Sequence, residues 1–585
     1  MKRISKDIWA VFKLLYQNKG RFSINALLLQ LIMIFISSTY LILLFNMMLK
    51  VAGQSQLTIN NWTEIVSHPA SVILLIIFIL SVAFLIYVEF SLLVYMVYAG
   101  FNRQIITFKS IFKNAFVNVR KLIGVPVIFF VIYLMLMIPI ANLGLSSVLT
   151  KNIYIPKFLT EELMKTTKGI IIYGTFMIAV FILNFKLIFT LPLTILNRQS
   201  LFKNMRLSWQ ITKRNKFRLV IEIVILELII GAILTLIISG ATYLAICVDE
   251  EGDKFLVSSI LFVVLKSALF FYYLFTKLSL ISVLVLHLKQ ENVLDQPGLE
   301  FKYPKPKRKS RFFIISMVLA VTCFIGYNMY LLYNNTINTN ISIIGHRGFE
   351  DKGVENSIPS LKAAAKANVE YVELDTIMTK DKQFVVSHDN NLKRLTGVNK
   401  NISESNFKDI VGLKMRQNGH EAKFVSLDEF IETVKQSNVK LLVELHGKEP
   451  ADYTQRVIDI LKKHGVEHQY RVMSLDYDVM TKLKKEAPYL KCGYIIPLQF
   501  GHFKETSLDF FVIEDFSYSP RLVNQAHLEN KEVYTWTING EEDLTKYLQT
   551  NVDGIITDDP ALADQIKEEK KDETYFDRSI RILFE

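Results

Sequence analysis

Only three cysteines, Cys247, Cys323 and Cys492, occur in 585 residues. They show neither Cys-x-x-Cys nor zinc-site spacing, so a disulfide framework and a thiolate metal site are both excluded. Long apolar runs are almost wholly missing beyond residue 335, although apolar residues make up 51% of the chain. That stretch reads as a soluble domain and the stretch before it as membrane. Basic excess is missing there too: from residue 341 onward 33 Lys+Arg stand against 41 Asp+Glu, leaving 34 against 14 for the first part and a net +12 for the whole. The positive charge therefore belongs to the apolar half, where cytoplasmic loops carry such charge, and it gives no support for nucleic-acid binding. The first apolar run is long and has no small-residue cleavage site after it, which excludes a cleavable signal peptide.

What is present divides the chain into a membrane domain over 1–333, a linker over 334–340 and a soluble domain over 341–585. A span needs about 20 mainly apolar residues. Seven stretches qualify: Phe22–Leu49, Ser71–Tyr98, Leu122–Leu143, Gly169–Leu196, Leu219–Ile246, Phe255–Leu286 and Phe312–Leu332. The strongly basic segments are the N-terminus (Lys2 to Arg21), Arg103–Lys121, Arg198–Arg218 and Lys305–Arg311. They alternate with poorer ones, among them the acidic Asp249–Asp253. The positive-inside rule then puts the N-terminus in the cytoplasm, and an odd number of spans places the C-terminal domain outside the cell. Apolar–basic segments precede the first, third and fifth spans (Trp9–Phe22, Phe108–Phe116, Ser208–Arg218) and read as a weak repeat of interfacial helices. Glu89, Lys186, Glu227, Lys266 and Lys277 lie within apolar stretches; they pair with one another or line a polar pocket. The polar linker from Tyr333 to Asn340 is short and keeps the soluble domain close to the membrane.

From residue 341, short β-rich apolar runs alternate with helical stretches. The runs are Ile341–Gly345, Tyr371–Asp375, Leu441–Leu445, Arg471–Leu475, Lys491–Ile495, Phe511–Asp515, Glu532–Thr537 and Gly554–Thr557, with Phe384–Ser387 as an extra. Eight strand–helix units in this length have the rhythm of a TIM barrel, whose chemistry sits at the C-terminal ends of the strands. Polar residues gather at those ends: His346-Arg347 after the first run, Glu373 and Asp375 in the second, His388-Asp389 after the extra run, Glu444 and His446 at the third, and Trp536 in the seventh. Glu373 and Asp375 are two apart on a strand and so share a face. With Glu444 they make a hard oxygen site suited to Ca²⁺ or Mg²⁺ rather than Zn²⁺. His346 and His388 titrate near neutrality, as a general acid–base pair requires, and the planar fork of Arg347 matches a phosphate.

These residues resemble the signature of the glycerophosphodiester phosphodiesterase family. The matching stretch runs Gly345-His-Arg-Gly348, Glu355-Asn-Ser357, Glu373-Leu-Asp375, Asp381, Val385-Val-Ser-His-Asp389, Leu392 and Arg394-Leu-Thr396. It continues in order through Ser426-Leu-Asp-Glu429, Glu444, Thr535-Trp-Thr-Ile-Asn539 and Gly554-Ile-Ile-Thr-Asp558. The first half is similar to the membrane domain fused to this family in some Gram-positive bacteria. The resemblance implies a TIM barrel of the phospholipase-C-like phosphodiesterase type that hydrolyses glycerophosphodiesters to an alcohol and glycerol phosphate. It implies metal ligation by Glu373, Asp375 and Glu444, acid–base roles for His346 and His388, and Arg347 on the phosphate. Glu355 and Asn356 would bind metal or order the site, and Trp536 would line the glycerol subsite. Where the family places a lysine two residues after the third-strand glutamate, this chain has His446, which becomes a phosphate donor or a metal ligand. The nearest lysine is Lys448. The region from Asn390 to Phe424 reads as an insertion over the site that sets leaving-group specificity.

The reading is thus a membrane-bound, metal-dependent phosphodiesterase facing outward. Its substrate is a glycerophosphodiester, a lysolipid or other lipid headgroup, or a glycerol-phosphate polymer, and its partner is the bilayer. Two alternatives stay open: a related phospholipase-like phosphodiesterase, and a catalytically weak lipid-binding or transport protein built on the same barrel.

Overall fold

A computed structural model describes residues 2–584 except 105–107, 120–121, 123, 138–146, 148, 150–153, 165, 295–310 and 447–451. The chain forms two compact units, and the division is not linear in sequence. One comprises Met1–Ala52, His68–Asn334 and Thr574–Phe584; the other comprises Gly53–Ser67 and Asn335–Glu573.

The first unit is helical. Five helices are long and apolar enough to cross a bilayer: Lys2–Val51, Pro69–Phe101, Thr167–Leu196, Leu201–Val248 and Phe255–Gln290. Two shorter apolar helices, Val125–Leu136 and Val318–Asn334, lie in the other two stretches read as spans. Part of the third stretch, and most of the basic segment 305–311, fall outside the described residues. Large apolar side chains such as Leu228 (66%) and Leu236 (73%) are exposed, a surface that lipid covers and water does not. The basic segments Trp9–Phe22 and Ser208–Arg218 are not separate interfacial helices. They run without a break into the long helices, whereas Phe108–Val119 is a helix of its own.

The buried charges of this unit have partners. Lys277 Nζ lies 2.7 Å from Glu89 Oε1, and Ser147 Oγ donates to the other carboxylate oxygen. Arg218 joins three helices by binding Asp7, Glu222 and Gln290, and Glu222 takes a second contact from His287 at 2.7 Å. In a low-dielectric interior such charges persist only when paired.

The second unit is built on strands β1 (Gln56–Thr58), β2 (Ser342–Gly345), β3 (Tyr371–Met378), β4 (Phe384–Val386), β5 (Lys414–Gln417), β6 (His420–Lys423), β7 (Lys440–His446), β8 (Arg471–Ser474), β9 (Lys491–Ile496), β10 (Gln499–Gly501), β11 (Phe510–Glu514), β12 (Glu532–Trp536) and β13 (Gly554–Thr557). Strands β2, β13, β12, β11, β9, β8, β7 and β3 pair in that order, and β2 pairs with β3 to close the ring. All the pairings in the ring are parallel. Strand β3 runs past the ring and pairs antiparallel with β4, while β5 and β6 form a hairpin.

Alternation along the strands makes two apolar layers. Ile344, Tyr371, Leu442, Met473, Ile495, Phe510, Val512, Tyr534 and Ile556 fill the barrel interior. The alternate residues, such as Val372, Val443 and Val472, pack against the surrounding helices. Helices start abruptly after the strands because Ser357, Ser426, Asp476, Ser519 and Asp559 each accept a backbone N–H at the helix entrance.

The interior is full. At Gly493 on β9, an added Cβ would stand 2.0 Å from the Phe510 ring. Gly493→Ala should therefore cost about 1–3 kcal/mol through overpacking, and adding Phe510→Leu should return part of it. Thermal melts of the full chain in detergent check this; an unchanged midpoint for the single variant would contradict the packing described.

Candidate active site

The strand ends bring the polar residues together. Asp375 on β3 stands directly opposite Glu444 on β7 in the parallel register. His446, two residues further along β7, turns to the same face, and its Nε2 lies 2.8 Å from Asp375 Oδ1 and 2.7 Å from Glu444 Oε1. Asp375, Glu444 and His446 thus offer three ligand atoms within 4.8 Å of one another, the spacing of a metal site. Glu373 is buried beside them; one oxygen accepts the Arg347 N–H at 2.9 Å, and Oε1 has no hydrogen-bond partner. A second group with that spacing is His346, Glu350 and Asp558.

Arg347 sits in the left-handed region, with φ at 52°. The turn sends its side chain inward. The guanidinium lies 3.3 Å from both Glu355 and Asp375, and the residue is buried. Asn356, also left-handed at φ 55°, holds Asp375 from two sides. Its Nδ2 donates to the carboxylate at 2.8 Å, and its Oδ1 accepts the Asp375 N–H at 3.0 Å. Glu355 is further held by Arg394, which also binds Asp389. Asp389 in turn accepts from His388 Nδ1 at 2.9 Å. The His388 and His446 rings meet edge to face, 5.4 Å apart. Trp536 ends β12 against the barrel interior. Lys448 lies outside the described residues.

Residues that reasoning from sequence left without a role complete the arrangement. Asp558, just past β13, binds His346 Nδ1 at 2.6 Å, and Asn539 donates to the other Asp558 oxygen at 2.6 Å. The rule that chemistry gathers at strand ends applies to Asp558 as it does to His388. Arg394 was legible only as part of a motif, because its partners come from other loops.

Burial and charge set the protonation states. Burial alone would lower the His346 pKa, but the charge and hydrogen bond of Asp558, together with the Glu373 charge, raise the value to about 9. For Glu373, burial and then the neighbouring Asp375 raise it to about 8. Asp375 goes the other way: burial opposes ionisation, but Arg347 and His446 hold it well below the usual carboxylate range. Burial likewise opposes a charge on His446, and Glu444 and Asp375 override it to about 11. Carboxyls pushed to opposite sides of neutrality a few ångströms apart mark a functional site rather than a solvated cluster.

Acids, histidines and an arginine around the C-terminal mouth of a parallel barrel, in a chain with a helical membrane unit, define a membrane-bound phosphoric diester hydrolase of the TIM-barrel class. Residues 8–328 match the membrane domain of glycerophosphoryl diester phosphodiesterase, and residues 346–562 match the glycerophosphoryl diester phosphodiesterase family. The chain belongs to that family, and its activity is that of a glycerophosphodiester phosphodiesterase. It is 27% identical over 231 residues to a glycerophosphodiester phosphodiesterase of Caldanaerobacter subterraneus, covering 37% of this chain and 94% of the relative. It is 26% identical over 263 residues to a human lysophospholipase D, covering 37% and 83%. Among solved structures, a putative glycerophosphoryl diester phosphodiesterase from Silicibacter pomeroyi aligns with 21% identity and a TM-score of 0.37, covering 41% of this chain and 97% of that one.

Asp558 supplies the charge that keeps His346 protonated. Asp558→Asn should therefore move the limb of the kcat/KM–pH profile governed by His346 from near pH 9 to lower pH. A limb that stays in place would mean another group carries it.

Proposed function

We propose that the chain hydrolyses glycerophosphodiesters with the help of a divalent cation, Ca²⁺ or Mg²⁺, at the outer face of the cell membrane. The observation that carries the reading is the convergence of Asp375, Glu444 and His446, with an unpartnered Glu373 oxygen beside them. Such a donor set, hard carboxylate oxygens with one imidazole nitrogen, fits a divalent cation. Glu373, Asp375 and Glu444 are the proposed ligands. A bound cation would supply charge neutralisation at the phosphodiester oxygens.

The chain's own groups move the protons. His346 and His388 are each oriented through Nδ1 by an aspartate, Asp558 and Asp389, which would leave each Nε2 to serve the substrate. In the first step a glycerol hydroxyl attacks phosphorus, one histidine takes its proton, and the other protonates the departing alcohol as the P–O bond breaks. Water then opens the cyclic phosphate with the histidine roles reversed. Arg347 contributes positive charge near the phosphate while its guanidinium holds Glu355 and Asp375. Glu355 and Asn356 keep the carboxylates in place. Trp536 offers an apolar wall for the glycerol moiety. His446, lying between two carboxylates, is read as belonging to the cation side of the site. Lys448 is kept as a phosphate-binding candidate.

The outward orientation rests on the alternation of basic segments and on seven spans. An outward site within a short linker's reach of the bilayer favours lysolipids, lipid headgroups and envelope glycerol-phosphate polymers as substrates. The name of the human lysophospholipase D relative agrees with the first of these.

Full-length protein in detergent, assayed on glycerophosphocholine, lysolipid and a polyglycerol-phosphate, should turn over at least one of them. A chelator should abolish turnover and Ca²⁺ or Mg²⁺ should restore it. His346→Ala and His388→Ala should each lower kcat by about a hundredfold or more without weakening metal binding. No turnover by metal-loaded protein would overturn the enzymatic reading, and chelator-insensitive turnover would overturn the metal. For orientation, Thr336→Cys in a chain lacking Cys247 and Cys323 should react with an impermeant thiol reagent on intact cells. Labelling only after lysis would reverse the topology.

A further inference from the structure

The segment Gly53–Ser67 lies between the first two long apolar helices in sequence, yet it packs as part of the barrel unit. Its strand β1 pairs antiparallel with β10, in the register Gln56 to Gly501, Leu57 to Phe500 and Thr58 to Gln499. The His502 N–H extends the ladder to the Ser55 carbonyl. Asn61 closes the turn by accepting from the Thr58 N–H and hydroxyl and donating to the Gln56 carbonyl. Asn60 Nδ2 donates to the Tyr494 hydroxyl at 3.0 Å.

This ribbon sits at the catalytic end of the barrel. β10 follows the C-terminal end of β9 by two residues. The Gln499 N–H donates to Ser517 Oγ, in the turn that follows the C-terminal end of β11, where Glu514 pairs with Trp536. In the ring order, β9 is four strands from β2 whichever way it is counted. The ribbon therefore belongs to the loops of the catalytic end, on the far side of the ring from the strand that leads to His346.

The two faces of the ribbon differ. Opposed residues of an antiparallel pair share a face, so Leu57 and Phe500 lie on one side, and Gln56, Thr58 and Gln499 on the other. The second face is the buried one, with exposures of 7%, 4% and 2%. It carries three side-chain atoms with no hydrogen-bond partner: Gln56 Oε1, Gln499 Oε1 and Gln499 Nε2. Buried amides left open in this way are rare and call for a partner. Neutral amides that donate and accept suit hydroxyl groups. They offer nothing to a quaternary ammonium, which has no N–H and binds aromatic faces.

We infer that Gln499 and Gln56 form a subsite for the hydroxyl groups of the leaving alcohol, so that a loop of the membrane half helps to choose the substrate. The inference rests on the diesterase reading of the barrel mouth, and it deepens that reading by favouring polyol headgroups over choline.

The test uses the full chain in detergent with glycerophosphoglycerol and glycerophosphocholine as probes. Gln56→Leu and Gln499→Leu should each raise KM for glycerophosphoglycerol by about tenfold, the scale of one lost hydrogen-bonded pair. Neither should change its kcat or any constant for glycerophosphocholine. Equal losses on both substrates, or no change on either, would overturn the subsite and leave the open amides to water. Unchanged glycerophosphocholine turnover also certifies the fold; should Gln499→Leu fail that check, Gln499→Glu takes its place. Calorimetric binding of glycerophosphoglycerol with chelator present separates the two claims. If wild-type protein binds the diester without ever turning it over, the diesterase reading fails, and weaker binding by Gln56→Leu still upholds the subsite. Binding equal in wild type and variant, or absent from both, overturns it.

Discussion

Mutual repulsion among buried carboxylates is the constraint around which the catalytic unit is arranged. Parallel pairing sets Asp375 directly opposite Glu444, and alternation along β3 turns Glu373 to the same face. Two unit charges about 4 Å apart interact by roughly 4 kcal/mol even where the effective dielectric constant is near 20. Arg347 and Asn356 hold Asp375 ionised, while burial pushes Glu373 the other way. Both organising residues adopt the left-handed backbone in the loops after β2, so the turns there exist to aim side chains at the acids. The histidines lie just outside this charged centre, each tied to an aspartate.

Much of this was legible in the sequence. All eight barrel strands lie where short β-rich runs alternate with helical stretches, and the site residues stand at or just past the strand ends. Those regularities come from a strict period of two and from parallel strands that share one catalytic end. β3 was underestimated, running to Met378 rather than Asp375, because its last residues are stabilised by β4 and not by the ring. Partner choice was not legible. Arg347 reads from sequence as a fork for phosphate, and that Glu355 and Asp375 share its guanidinium appears only in the structure. His446 reads from sequence as a phosphate donor or a metal ligand, and its ring nitrogen, lying between two carboxylates, agrees with the second of these. Such contacts join loops remote in sequence, and no local pattern records them.

The same limit hid β1. Gln56-Leu-Thr58 is too short to announce a strand, and it becomes one only through β10, far along the chain. Contact, not sequence order, assigns this loop to the catalytic unit and Thr574–Phe584 to the helical one.

If the opposed strand-end acids hold a divalent cation, as proposed, the binding is directly measurable. Isothermal titration of the full-length protein with Ca²⁺ and with Mg²⁺ near neutral pH tests it most directly, with Glu444→Gln as the comparison. The native chain should show one saturable site for at least one of these ions, lost or markedly weakened in the variant. Binding that is absent from the native chain, or unchanged when Glu444 is neutralised, would contradict it.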